Sequence, residues 1–215
     1  MFLTNLSRLV AAALTALFLA AGAAQAQEPL KIVVLGDSLV AAYQLPQEDG
    51  YPSQLQKALD GAGVQAQIIG AGVSGDTSSG GLARLAWSVP DGTDAVLLEL
   101  GANDALRGLP PETTRKNLVS MIEQLQSRNI KVALFGMLAP PNMGADYEAQ
   151  FNPIYGELSE RYDLPLYPFF LDGVLTKPEF LLPDGIHPNG AGVKIMVEKT
   201  LPLVERLVES LRPTP

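Results

Sequence analysis

An α/β fold, with a parallel sheet covered by helices on both faces, is predicted by three features of this 215-residue chain. Apolar runs of strand length alternate with amphipathic stretches of helical length. The runs are almost continuously apolar, which is the pattern of strands buried on both faces. Turns rich in Gly, Asp and Ser follow the first three runs, as expected where strands give way to loops at a sheet rim. Together these predict one domain built as a three-layer α/β/α sandwich.

Each element can be justified in order. Lys31 to Leu35 reads as a strand ending at Gly36-Asp37-Ser38, and Pro52 to Leu59 as a helix with Pro near its start and Gly61 at its end. Val64 to Ile69 is the second strand, running into Val73-Ser74-Gly75-Asp76, and Ser79 to Trp87 suggests a helix. Asp94 to Leu100 is the third strand, ended by Gly101-Ala102-Asn103-Asp104. Thr113 to Ser127 places Leu118, Met121, Ile122 and Leu125 at helical spacing. Lys131 to Leu138 is the fourth strand, Glu148 to Tyr162 a further helix, and Leu164 to Phe169 a short fifth strand. Ala191 to Leu211 closes the chain as an amphipathic helix, kinked or broken at Pro202. Trp87, the only tryptophan, is expected in the core or packed against a helix.

Residues 1–26 read as a secretory signal. Arg8 supplies a positive start, Leu9 to Ala21 an apolar stretch, and Ala24-Gln25-Ala26 a cleavage site of small residues. Cleavage near Ala26 leaves residues 27–215 as the expected single domain, in the periplasm or the medium. No later stretch reaches the ~18 consecutive apolar residues of a membrane span. The formal net charge is −8, which argues against a nucleic-acid or anionic-membrane surface. The chain has no cysteine and one histidine, so disulfides and thiolate metal sites are excluded and neither metal nor other cofactor is expected.

That single histidine, His187, lies in Asp184-Gly185-Ile186-His187-Pro188-Asn189. Imidazole is the side chain best suited to carry protons near neutrality. Ser38 stands at a turn after the first strand, where its hydroxyl would leave the sheet edge, and His187 can take its proton. Asp184 can bind the other ring nitrogen across a single turn and steady the imidazolium. The backbone amides of Ser38 and Gly75 and the side-chain amide of Asn103 are the candidate oxyanion donors. Each motif alone reads equally as an ordinary turn. Their convergence on one rim of a parallel sheet is what makes them a site. Asp37 and Asp104 are expected to brace their turns.

With these residues, the chain resembles the SGNH hydrolases, also called GDSL esterases. The resemblance runs from Ile32 to about Leu207 and rests on Gly36-Asp37-Ser38-Leu39, Gly75, Gly101-Ala102-Asn103-Asp104 and Asp184-Gly185-Ile186-His187. Val73-Ser74-Gly75-Asp76-Thr77-Ser78 and the segment around His187 are closest to the bacterial arylesterase and thioesterase–lysophospholipase branch. The resemblance implies a flavodoxin-like five-stranded sheet of order 2-1-3-4-5, a Ser38/His187/Asp184 triad and an oxyanion hole from Ser38, Gly75 and Asn103. Ser38 lacks the Gly-x-Ser-x-Gly setting of an α/β-hydrolase elbow.

The expected activity is serine esterase chemistry on aryl esters, short-to-medium acyl esters, acyl thioesters or lysophospholipids. A carbohydrate acetyl-esterase and a non-catalytic binding module are the rival readings. Leu106, Leu109, Pro140, Met143 and Tyr147, in the loops after the third and fourth strands, are expected to line an acyl groove. The partner is a small-molecule ester or thioester. The sequence leaves the oligomeric state open.

Overall fold

The computed structural model describes residues 28–212, so the expected signal segment lies outside the described residues. Five parallel strands form one sheet of order β2-β1-β3-β4-β5. They are β1 (Leu30–Gly36), β2 (Ala66–Gly72), β3 (Ala95–Leu98), β4 (Lys131–Phe135) and β5 (Leu166–Tyr167). Ile32 to Leu35 of β1 and all four residues of β3 are fully buried, as continuous apolar runs require. At the β2 edge the Gln56 amide stands in for a missing strand: its Nε2 donates to Ala66 O at 2.9 Å and its Oε1 accepts from Ile68 N at 2.7 Å.

Eight α-helices accompany the strands among the described residues: α1 (Tyr51–Gly61), α2 (Ser78–Ala83), α3 (Leu85–Ser88), α4 (Ala102–Leu106), α5 (Pro111–Ser127), α6 (Ala145–Phe151), α7 (Ile154–Tyr162) and α8 (Gly190–Leu211). The β1–β2 crossover runs one way along the sheet and the later ones the other. Right-handed connections therefore place α1 opposite α2 through α7. The terminal α8 packs on α1, where Tyr51 Oη and Thr200 Oγ1 share a buried hydrogen bond of 2.7 Å. Phe135 and Phe170 stack at 4.9 Å between ring centroids, with Tyr51 edge-on to both.

Four local expectations are corrected. The single helix read over Glu148 to Tyr162 is two, α6 and α7, parted at Asn152-Pro153. Pro153 has no amide to donate, while the side chain of Asn152 turns away to accept from Ala139 N at 2.8 Å. The stretch Ser79 to Trp87 likewise breaks at Arg84, whose side chain is recruited elsewhere. Pro202, by contrast, does not break the chain's last helix, since it lies inside an uninterrupted α8 of 22 residues. Burial of Met196, Val197, Leu203 and Val204 on either side of it holds the helix across the missing bond. Trp87 is 72% exposed. The four-residue α3 turns Leu85 and Ser88 inward, which points Trp87 out.

The strand order reverses direction between β1 and β3, and the segments that follow these neighbours carry Ser38 and Asn103. Ligands bind in such sheets outside the carboxyl ends of the strands at this switch point.

Candidate active site

Ser38 follows β1 on a turn that the preceding residues shape. Gly36 approaches β3 so closely that a Cβ there would collide with Glu99 and Val40. Asp37 Oδ1 accepts from Leu39 N at 3.0 Å, and Asp37 O accepts from Ala41 N at 3.0 Å, folding the chain back and leaving the Ser38 hydroxyl at the rim.

Arg84 clamps this rim from below. Its Nη2 donates to Gly36 O at 2.8 Å, its Nη1 to Ala71 O at 2.9 Å, and its Nε pairs with Asp76 at 2.6 Å. One buried guanidinium therefore fixes the carboxyl ends of β1 and β2 relative to each other.

His187 arrives from the far end of the chain. Its backbone is pinned by Leu182 N donating to His187 O at 2.7 Å and by Asn189 N donating to Phe180 O at 2.9 Å. Asn189 then caps α8, its Oδ1 accepting from Ala191 N and Gly192 N. The imidazole Nε2 lies 2.9 Å from Ser38 Oγ and its Nδ1 lies 2.7 Å from Asp184 Oδ2. Asp184 Oδ1 accepts from the amides of Ile186 (2.9 Å) and His187 (3.0 Å). Burial acts to raise the Asp184 pKa, but these amides and the imidazole outweigh it and hold the group at about 2. Asp184 is thus ionised throughout the neutral range.

The expected oxyanion donors converge on the same rim. Neither Ser38 N nor Gly75 N hydrogen-bonds to another described residue. Gly75 has φ 81°, a backbone conformation that suits glycine. Asn103, on the first turn of α4, donates through Nδ2 to Asp37 Oδ2 at 2.8 Å, which leaves one amide hydrogen free. Asp104 braces the arrangement as anticipated. Its Oδ2 accepts from Ser78 N at 2.7 Å and its Oδ1 from Thr114 Oγ1 at 3.0 Å, with Ser78 Oγ also bound. The loop carrying Gly75 is thereby tied to the helix carrying Asn103.

Glu99 went unread in the sequence, although one carboxylate inside the apolar run DAVLLEL was a signal. It is fully buried beneath the Ser38 turn, and its Oε2 accepts from Asp37 N at 3.1 Å. Burial, with the Asp37 charge beside it, pushes its pKa well above the usual carboxylate range. Burial likewise pushes Asp37 up to about 6.

A cleft of about 400 Å³ opens beside Ser38, His187 and Asn103. Of the five residues expected to line it, Leu106 and Pro140 do. Leu109, Met143 and Tyr147 lie outside the lining. Tyr147 Oη instead donates to Leu109 O at 2.8 Å, its ring stacks on Phe151, and Met143 packs over Gly108. These contacts join the two loops to each other. Leu138, Phe169, Leu175 and Ile186 supply the wall in their place. The last two lie between β5 and α8, a stretch that carried no groove signal in the sequence.

Comparison with known proteins gives a consistent result. The model of the GDSL-like Lipase/Acylhydrolase family matches residues 34–195. An arylesterase of Vibrio mimicus is 44% identical over 173 residues, which is 80% of this chain and 86% of that protein. The thioesterase 1/protease 1/lysophospholipase L1 of Escherichia coli K12 is 37% identical over 159 residues, or 74% and 75% of the two chains. Among solved structures, the SGNH-hydrolase family esterase AlinE4 matches at TM-score 0.71 and 44% identity, covering 84% of this chain and 97% of that one.

Proposed function

Because this chain belongs to the GDSL-like lipase/acylhydrolase family and is a serine-type ester hydrolase, we propose that Ser38, His187 and Asp184 perform its chemistry. The observation that carries the assignment is the placement of one imidazole. It bridges Ser38 Oγ at 2.9 Å and Asp184 Oδ2 at 2.7 Å beside an apolar cleft.

In the first step Ser38 Oγ bonds to the acyl carbon while its proton passes to His187 Nε2. The carbonyl oxygen becomes negative and is met by Ser38 N–H, Gly75 N–H and the free Asn103 amide hydrogen. Collapse breaks the bond to the leaving alcohol or thiol, which takes the proton from His187. A water then gives its proton to His187, its oxygen attacks the acyl carbon, and the Ser38 ester is cleaved with the proton returned to Oγ. Asp184 stays ionised and steadies the imidazolium in both steps.

The substrates fitting this site are aryl esters, short-to-medium acyl esters, acyl thioesters and lysophospholipids. Their acyl chains would lie along Leu106, Leu138, Phe169, Leu175 and Ile186. An acetylated sugar would bring hydroxyls to that wall, which offers them little to bond. We further assign the active chain to the periplasm or medium, after cleavage near Ala26.

The test is Ser38→Ala. It should lower p-nitrophenyl ester turnover by ~10³ or more and abolish fluorophosphonate labelling with the melting temperature held. Turnover preserved in that variant would end the assignment.

A further inference from the structure

Tyr43 lies five positions beyond Ser38 on the same turn, and its backbone amide donates to Ser38 O at 3.4 Å. Its ring stacks on His187, with centroids 4.3 Å apart and planes tilted by 34°. The backbone on either side of it is strained. Ala42 has φ 55° and Gln44 φ 54°, and neither is a residue type that favours the left-handed region. The other non-glycine residues with positive φ among the described ones, Asn129 and Asp163, are of the types that tolerate it and follow helix ends. Two strained residues around one side chain persist only where surrounding contacts over-determine them, and such strain gathers at functional sites.

Here the contacts converge on the imidazole. Gln44 Nε2 donates to Tyr43 Oη at 3.0 Å, steadying the ring from its far end. Leu39, Leu45, Pro188 and Val193 close in around the Tyr43–His187 pair, leaving a void of only about 10 Å³. That space holds no more than a single water, so the imidazole is packed on the Tyr43 side. The groups acting on His187 are then Ser38 and Asp184 at its two nitrogens, the nearby charge of Asp37, and the Tyr43 face.

We propose that Tyr43 is a positioning residue, whose ring holds the His187 imidazole between Ser38 and Asp184 and stabilises the imidazolium formed during acyl transfer. The proposal rests on the triad assignment above. The ring's negative face attracts a cation, an attraction present only while His187 carries the second proton. It therefore acts on the transition state more than on substrate binding.

The experiment compares Tyr43→Phe, which keeps the face, with Tyr43→Leu, which keeps apolar bulk alone. Active sites are counted by endpoint fluorophosphonate labelling mapped to Ser38. Per labelled site, the Leu variant should lose kcat by about 3- to 30-fold with KM for p-nitrophenyl butyrate little changed, and the Phe variant should recover most of it. Wild-type kcat in the Leu variant, or a loss confined to its melting temperature, overturns the role of Tyr43. So does a Phe variant as impaired as Leu, since the hydroxyl would then be responsible. Should the Leu variant fail to fold, the wild-type protein still decides. Its one histidine gives one set of imidazole proton signals, which the stacked ring should shift upfield and Tyr43→Phe should leave shifted. Unshifted signals overturn the stacking. Label found on another residue of the wild type would instead overturn the triad.

Discussion

Asn103 donates its side-chain amide to Asp37 Oδ2 at 2.8 Å, joining the residue before Ser38 to one of the groups proposed to meet the developing oxyanion. Asp37 Oδ1 is meanwhile engaged by Leu39 N at 3.0 Å. One buried carboxylate thus shapes the Ser38 turn and sets the roll of the Asn103 amide. Asp37→Asn would turn an NH2 group or a weaker acceptor toward Asn103. It should lower kcat by roughly 10- to 100-fold while KM changes little. Steady-state kinetics on p-nitrophenyl esters reads this out, and an unaltered kcat would show that Asn103 is held without Asp37.

Glu99 lies under the same turn and accepts from Asp37 N at 3.1 Å, and Gln is a near-isosteric replacement whose amide oxygen can still do so. Leu at this position leaves that buried amide without an acceptor, at a cost of about 1–3 kcal/mol. In urea unfolding, Glu99→Gln should stay close to wild type and Glu99→Leu should fall below it. Equal stability of the two variants would mean that the Asp37 amide does not depend on Glu99.

Asp184 links folding to acid. Its pKa is about 2 in the folded chain against an ordinary value of 3.8. A carboxyl depressed in this way contributes stability that is complete above 3.8 and lost as pH falls through about 2. Melting curves of wild type and Asp184→Asn should therefore differ most near neutrality and approach each other between pH 4 and pH 2. Curves running parallel across that window would rule out the contribution.

Chain-length preference should answer to the cleft wall. Leu106 is 50% exposed at the mouth, so Leu106→Trp can extend across the cleft without entering the packed core. Hydrolysis of p-nitrophenyl octanoate should fall about tenfold relative to the acetate. An unchanged octanoate-to-acetate ratio of kcat/KM would place the acyl chain elsewhere.

The parts legible in the sequence are those whose chemistry tolerates few residue types. A lone histidine with an aspartate three positions before it, and a serine closing an apolar run, announced themselves without any knowledge of contacts. So did Gly75 and Asn103, because each follows a strand where a parallel sheet gathers its ligands. Leu109, Met143 and Tyr147 were placed in the groove because they share loops with Leu106 and Pro140, yet a loop's position does not fix which way its side chains face. Tyr43, Glu99 and Arg84 escaped notice for a related reason. Tyrosine in a turn, an acid in a strand and an arginine between two short helices are each unremarkable until their neighbours are known.

Apolar periodicity and the few titratable side chains were enough to set the fold class and the order of the elements, and to single out the three residues proposed to react, since each is a local property of the chain. Tertiary packing alone decided how the reacting atoms meet: the 2.9 Å from His187 to Ser38, the aromatic face behind the imidazole and the wall of the cleft. Those are distances between segments far apart in sequence, set when the core closes, and no local pattern encodes them.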